Sequence, residues 1–160
     1  MKKKMNNKGF SLVELIVVIA IMAVLIGVLA PTLLGNIEKS RLAKDKDAID
    51  VLYKAWQTTA VNPDYTVPAG DYEYTVSSDG KIDITTNFST IKFENGNSGG
   101  DAQFVNDLKE YIGDSTIKLS SKYYLKSSPA AKVTIKITTG GKVALSVTCS
   151  DSKGAYTVNE

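Results

Sequence analysis

The chain has 160 residues, with 19 basic and 17 acidic side chains, no histidine and one cysteine. The missing histidine excludes Ser-His-Asp and Cys-His nucleophilic centres and histidine-ligated metal sites. Without a Walker A sequence the chain is no nucleotide-driven motor, and with Cys149 alone it cannot close a disulfide within itself.

The first 13 residues hold Lys2, Lys3, Lys4 and Lys8 and no acid. By the positive-inside rule this end stays in the cytoplasm and the rest is exported. From Leu15 to Ala30 every residue is apolar or glycine, and counting on to Leu34 gives 20 residues. That is about 30 Å of helix at 1.5 Å per residue, enough to span a bilayer. A cleaved signal peptide with a small-residue site at Val28-Leu29-Ala30 is one reading. A plain single-span anchor is another. The first is at odds with the length of the run and with Glu14 inside its start, and the second leaves Gly9-Phe10 and Glu14 unexplained. Charged residues in such segments cost about 2.5–3.5 kcal/mol on insertion scales and usually have a function. An acid near a helix start is also favoured by the helix dipole. Further on, Pro31 lacks the N–H that would bond the carbonyl of Gly27, and its ring crowds that carbonyl. Gly27 and Pro31 therefore predict a kink or a local opening.

From Pro31 to about Ala60 the pattern is helical. Leu42, Ile49, Leu52 and Trp56 form one stripe, widened by Ala48, Val51 and Ala55, to be covered by a sheet. Trp56 is expected in the core. Glu38, Lys39, Arg41, Lys44, Asp45, Lys46, Asp47 and Asp50 read as a solvated face. Asn62-Pro63-Asp64 stops the helix, and Pro68-Ala69-Gly70 keeps the chain irregular. Tyr72–Val76 and Lys81–Thr85 flank a Ser77-Ser78-Asp79-Gly80 turn and predict a hairpin. Ser89–Phe93 predicts a short strand, followed by a glycine-rich loop over Asn95–Gly100. Asp101 can cap a second helix that runs to about Ile112, with Phe104, Leu108, Tyr111 and Ile112 inward and Gly113 as its stop. Lys122–Leu125 reads as a strand. Val133–Thr138 and Lys142–Thr148, around Thr139-Gly140-Gly141, form the clearest hairpin, and Ala155–Val158 a final edge strand. The fold class is α+β: one long N-terminal helix laid against a small antiparallel sheet.

The set Lys8-Gly9, then Phe10-Ser11-Leu12-Val13-Glu14-Leu15, then the unbroken apolar helix with Pro31, resembles the type IV filament family. That family comprises type IV pilins and the pseudopilins of type II secretion and DNA uptake. The resemblance covers about the first 35 residues strongly and the next 25 by pattern. It implies a leader over residues 1–9, a membrane and filament-core helix half over 10–34, and a head over 35–160 whose own helix half is 35–60. It further implies that a prepilin peptidase cuts between Gly9 and Phe10 and methylates the new amino terminus of Phe10. In filaments of the family, the acid matching Glu14 pairs with the amino terminus of a neighbouring subunit, here Phe10. The segment before the proline, here about Ala23–Pro31, loses its helix. The fold implied is pilin-like, with the apolar half protruding. Partners implied are identical subunits, the peptidase, an assembly ATPase and a membrane platform protein. The chain would wait in the membrane as a single-pass protein with its amino terminus in the cytoplasm, then enter a surface filament for adhesion, twitching motility or DNA uptake. The alternatives are a pseudopilin, or a minor or tip pilin with a ligand-binding head. Many pilins close a C-terminal loop with a disulfide. This chain departs from that, which points to an envelope without routine disulfide use.

Removing the four leader lysines leaves 15 basic against 17 acidic side chains, a net of −2, so no global charge suits the coating of nucleic acid. Lys118, Lys122, Lys126, Lys132 and Lys136 with Tyr123 and Tyr124 could be combined into a DNA-binding patch. The plainer reading is outward strand lysines that guard sheet edges. Cys149 ends an apolar strand and is expected to be buried and inert. No EF-hand spacing accompanies Asn95–Asp101, no catalytic residue, cofactor or metal site is expected, and Asn87-Phe88-Ser89 matches an N-linked acceptor pattern of little weight here.

Overall fold

A computed structural model describes residues 11–86, 88, 91–93 and 99–158. The leader with Gly9 and Phe10, the acceptor residues Asn87 and Ser89, and most of the Asn95–Gly100 loop lie outside the described residues. Two compact units divide the chain, Met1–Ile37 and Glu38–Glu160.

Helix α1 runs over Leu12–Ala60 and contributes to both units. In the first unit no large side chain from Leu12 to Leu34 finds cover; each is between 48% and 72% exposed. In the second unit the same helix turns amphipathic. Its buried face is Asp45, Ile49, Leu52, Tyr53, Ala55, Trp56 and Thr59. The stripe of Ile49, Leu52 and Trp56 is as the 3.6-residue period predicts, with Leu42 partly covered. Val51, expected to widen it, is 40% exposed, while Tyr53 is buried. At 100° per residue Val51 lies on the far flank from Trp56, whereas Tyr53 falls beside it.

That face packs on a four-stranded antiparallel sheet in the order β2-β6-β7-β8, made of Gly70–Thr75, Lys132–Ile137, Val143–Thr148 and Tyr156–Val158. The register puts Tyr72, Ile135 and Leu145 in one row and Tyr74, Val133 and Val147 in the next. All six are buried, because side chains alternate across a strand and these rows share the inner face. Trp56 sits at the centre, 4.7 Å from the ring of Tyr72 and 5.1 Å from that of Phe104. Its indole N–H donates to the Tyr74 hydroxyl at 2.9 Å. The hairpin of β6 and β7 and the edge strand β8 stand as expected.

Among the described residues the head has two further small ladders: β1 (Tyr65–Thr66) with β4 (Lys92–Phe93), and β3 (Lys81–Asp83) with β5 (Thr116–Lys118). They correct the expected hairpin of Tyr72–Val76 with Lys81–Thr85. The turn itself forms, with Ser77 N–H bonded to the Lys81 carbonyl. Beyond it the strands part, and β2 pairs along its whole length with β6. A long ladder that buries Tyr72 and Tyr74 against Val133, Ile135 and Ile137 outweighs a nearby partner offering few apolar side chains. Gly80 closes the turn at φ 81, and a Cβ there would stand 2.3 Å from the Leu119 carbonyl oxygen.

Helix α2 covers Gly100–Ile112, and Gly113 ends it at φ 86 with its N–H on the Lys109 carbonyl. Asp101 lies inside the first turn rather than capping it, since Gly99 holds that position with no side-chain cap. Phe104, Val105 and Leu108 are buried, but Tyr111 is 48% exposed. Tyr111 returns to within about 20° of Phe104 on the helix, so its exposure follows from its place in the last turn, next to the end at Ile112, and not from the helical period. The segment expected as a strand at Lys122–Leu125 is a short helix, α3, with Ser121 as its N-cap.

Candidate functional site

The first unit carries the residues that the motif singles out. Ser11 precedes helix α1, and its N–H donates to the Glu14 carboxylate at 2.8 Å. Ser-x-x-Glu spacing is that of a capping box, in which the acid at the third helical position satisfies an orphan amide at the helix start. In the single chain, then, Glu14 is engaged with its own helix start. Phe10, its expected partner from a neighbouring chain, lies outside the described residues. Helix α1 continues through Ala23–Pro31 without interruption, although Pro31 leaves the Gly27 carbonyl without its usual donor. A Cβ on Gly27 would meet nothing within 4 Å, so no contact within the chain requires glycine there. By length and composition the helix can cross a membrane.

The second unit holds a carboxylate clamp that sequence reasoning missed. Asp45, expected on the solvated face, is 2% exposed. It accepts the N–H of Ser121 at 2.6 Å and that of Ser120 at 2.9 Å, together with the Ser120 hydroxyl at 3.2 Å. Glu38, two turns earlier on the same face, accepts the Lys122 N–H at 2.6 Å and the Ser121 hydroxyl at 2.9 Å. Two acids of α1 thus satisfy the amides at the start of α3, where the helix dipole favours negative charge. This is why Lys122–Leu125 coils rather than extends. A spacing of seven between two acids on one helix face was the available signal, but it carries nothing without the partner segment.

The remaining candidates disperse. Lys132 pairs with Glu73 at 2.8 Å and Lys136 approaches Asp71 at 3.9 Å. Both lysines stand on β6, a central strand, so they guard no edge. Tyr124 is buried, its hydroxyl donating to the Gly154 carbonyl at 3.0 Å. The nucleic-acid patch, the less favoured reading of these residues, is interrupted by the ion pairs of Lys132 and Lys136 and by the burial of Tyr124. Cys149 is half-buried rather than buried, its thiol 2.9 Å from the Asp151 carbonyl oxygen. Burial raises the hydroxyl pKa of Tyr74, Tyr124 and Tyr156 above the ordinary tyrosine value, with Asp50 adding to the effect at Tyr156. A concavity between the end of α1 and α2 is about 310 Å³, lined by Thr58, Asn62, Asp107, Glu110 and Tyr111 among others. Among the described residues no three His, Cys, Asp or Glu side chains are grouped to hold a metal.

No curated protein and no solved structure matches the chain. A family model described as the prokaryotic N-terminal methylation motif matches residues 4–30. The span includes Gly9, Phe10, Glu14 and Gly27 and stops just before Pro31. The chain therefore carries the prepilin-type cleavage and methylation motif of type IV pilin-like proteins, which implies processing by a prepilin peptidase and assembly into a filament with the type IV machinery.

Proposed function

We propose that this chain is a non-catalytic structural subunit of a type IV pilus, which the peptidase cuts between Gly9 and Phe10 and methylates on Phe10. The observation that carries the reading is the methylation motif joined to an apolar helix whose side chains find no cover within the chain. Such a surface is unstable in water, where each large apolar side chain gains about 1.5–3 kcal/mol on full burial. A bilayer covers it before assembly, and a bundle of identical helices covers it afterwards. An assembly ATPase and a membrane platform protein would drive the transfer, and the filament would reach the cell surface for adhesion, motility or DNA uptake.

Cleavage creates an ammonium on Phe10 at the margin of the apolar bundle. A carboxylate from the next subunit neutralises it there, and the cost of leaving either charge unpaired in low dielectric penalises wrong registers. Glu14 then exchanges its Ser11 amide for the neighbour's amino terminus. Sheared filaments analysed by intact mass test the proposal. An abundant species that begins at Phe10 and carries one added methyl group is the expected result. Processed protein that stays with the cells and is scarce in the sheared fraction would point to a pseudopilin or minor subunit. A cut near Ala30 would overturn the assignment. Glu14→Ala should leave cleavage intact and reduce filament yield; normal yield would refute the pairing.

A further inference from the structure

Between residues 38 and 50 four acids and four bases are interspersed, and the sequence reads as a neutral, solvated face. The fold separates them. Glu38 and Asp45 turn inward and are taken up by the amides and hydroxyls of Ser120, Ser121 and Lys122. Lys39, Arg41 and Lys44 remain exposed around the helix, and Lys122, whose amide the clamp holds to Glu38, is exposed as well, its ammonium 5.4 Å from the centre of the Tyr123 ring. Arg41 reaches Glu38 only at 3.8 Å, a contact of little worth between groups of which one is already occupied. Lys46 leans over the Tyr156 ring at 5.1 Å, and Asp47 is the outward acid that follows. The exposed charge of this collar is positive, although the local sequence is close to balanced.

The collar begins five residues after Leu34, the last residue of the apolar run, and Lys44 follows Leu34 by ten. Ten residues of helix span about 15 Å. The polar interface of a bilayer is about 5–8 Å deep on each side of the hydrocarbon, and the field of a charged surface extends about a further 8 Å at physiological salt. When the apolar segment lies in a bilayer, the chain therefore holds these bases within reach of lipid phosphates. We propose that Lys39, Arg41, Lys44 and Lys122 form a cationic collar that binds the phosphates of an anionic lipid surface. The inference rests on the membrane stage of the function proposed above, and not on which filament follows. The collar tethers the head to the lipid surface while the subunit waits, and its lipid contacts are released when the helix leaves the bilayer. A nucleic acid offers similar phosphates but is not delivered to the site by the apolar helix.

The full chain is incorporated into vesicles of phosphatidylcholine with about one third phosphatidylglycerol, and insertion is checked by flotation. The protein is then extracted in neutral detergent, and the lipids retained per chain are quantified. Wild type and Lys39→Gln/Arg41→Gln/Lys44→Gln/Lys122→Gln share the same leader lysines, so their difference reports the collar alone. A basic residue near an anionic surface contributes about fivefold in binding; in the quadruple variant the ratio of retained phosphatidylglycerol to retained phosphatidylcholine should fall at least about tenfold. Lys39→Arg/Lys44→Arg/Lys122→Arg should retain it. Equal enrichment in wild type and the glutamine variant overturns the collar, as does an equal loss from the sheet variant Lys132→Gln/Lys136→Gln/Lys142→Gln. Displacement of the retained lipid by a short DNA duplex overturns the lipid assignment. A chain that fails to insert even into pure phosphatidylcholine overturns the membrane stage itself.

Discussion

Replacing Asp45 by alanine should destabilise the head far more than its place among charged helix residues suggests. The carboxylate is 2% exposed and receives the Ser121 amide at 2.6 Å and the Ser120 amide at 2.9 Å. Hydrogen bonds to a charged acceptor are worth about 1.5–3 kcal/mol each, and a buried donor left unsatisfied costs about 1–3 kcal/mol. Ser121 is fully buried, so water cannot replace the lost acceptor at its amide, whereas Ser120 is exposed and can recover part of its loss. The sum is about 2–4 kcal/mol, a large share of the 5–15 kcal/mol typical of a domain. Asp45→Asn keeps one acceptor oxygen and should lose about half as much. Asp47→Ala, two residues on and exposed, should change stability by less than about 0.5 kcal/mol. Urea unfolding of the full chain in neutral detergent, followed by the fluorescence of the buried Trp56, measures all three. The midpoint should fall while the slope stays constant. A loss of less than about 1 kcal/mol for Asp45→Ala, or one no larger than that of Asp47→Ala, would refute the clamp.

The same measurement tests three further expectations. Gly80→Ala should cost at least about 2 kcal/mol, because it combines a left-handed backbone with a Cβ 2.3 Å from the Leu119 carbonyl oxygen. Gly113→Ala shares the positive φ but meets nothing within 4 Å, and should cost only about 1 kcal/mol; similar losses at the two sites would argue against crowding at Gly80. Tyr74→Phe strands the buried indole N–H of Trp56 and should lose about 1–3 kcal/mol, with a near-neutral result counting against that bond. Stability should also fall as pH rises above about 10. The buried tyrosines Tyr74 and Tyr124 hold their protons to higher pH in the folded head than in the unfolded chain. Their contribution is complete below the unfolded pKa and is lost as pH climbs toward the folded one, at up to about 1.4 kcal/mol per pH unit for each. A flat profile from pH 9 to 11 would refute this.

What could be read from the amino-acid sequence alone was whatever depends on neighbours within a few residues. The apolar run from Leu15 to Leu34, the Gly9-Phe10 and Glu14 signature, the helical stripe of Ile49, Leu52 and Trp56 and the hairpin around Gly140-Gly141 are of this kind. So is the stop of α2 at Gly113, because its φ 86 follows from a local backbone need. Tertiary structure alone decided which strand Tyr72 and Tyr74 would pair with, since β2 and β6 are some sixty residues apart in the chain. It also decided that Lys122–Leu125 would coil and that Asp45 would be buried. Those two outcomes are one event: the amides of Ser120 to Lys122 needed acceptors, and Glu38 and Asp45 lay seven residues apart on one face of α1. Residue type makes Asp45 a surface residue, because an isolated carboxylate is costly to bury. Only a partner about 75 residues further along the chain, supplying two amides and a hydroxyl, reverses that cost.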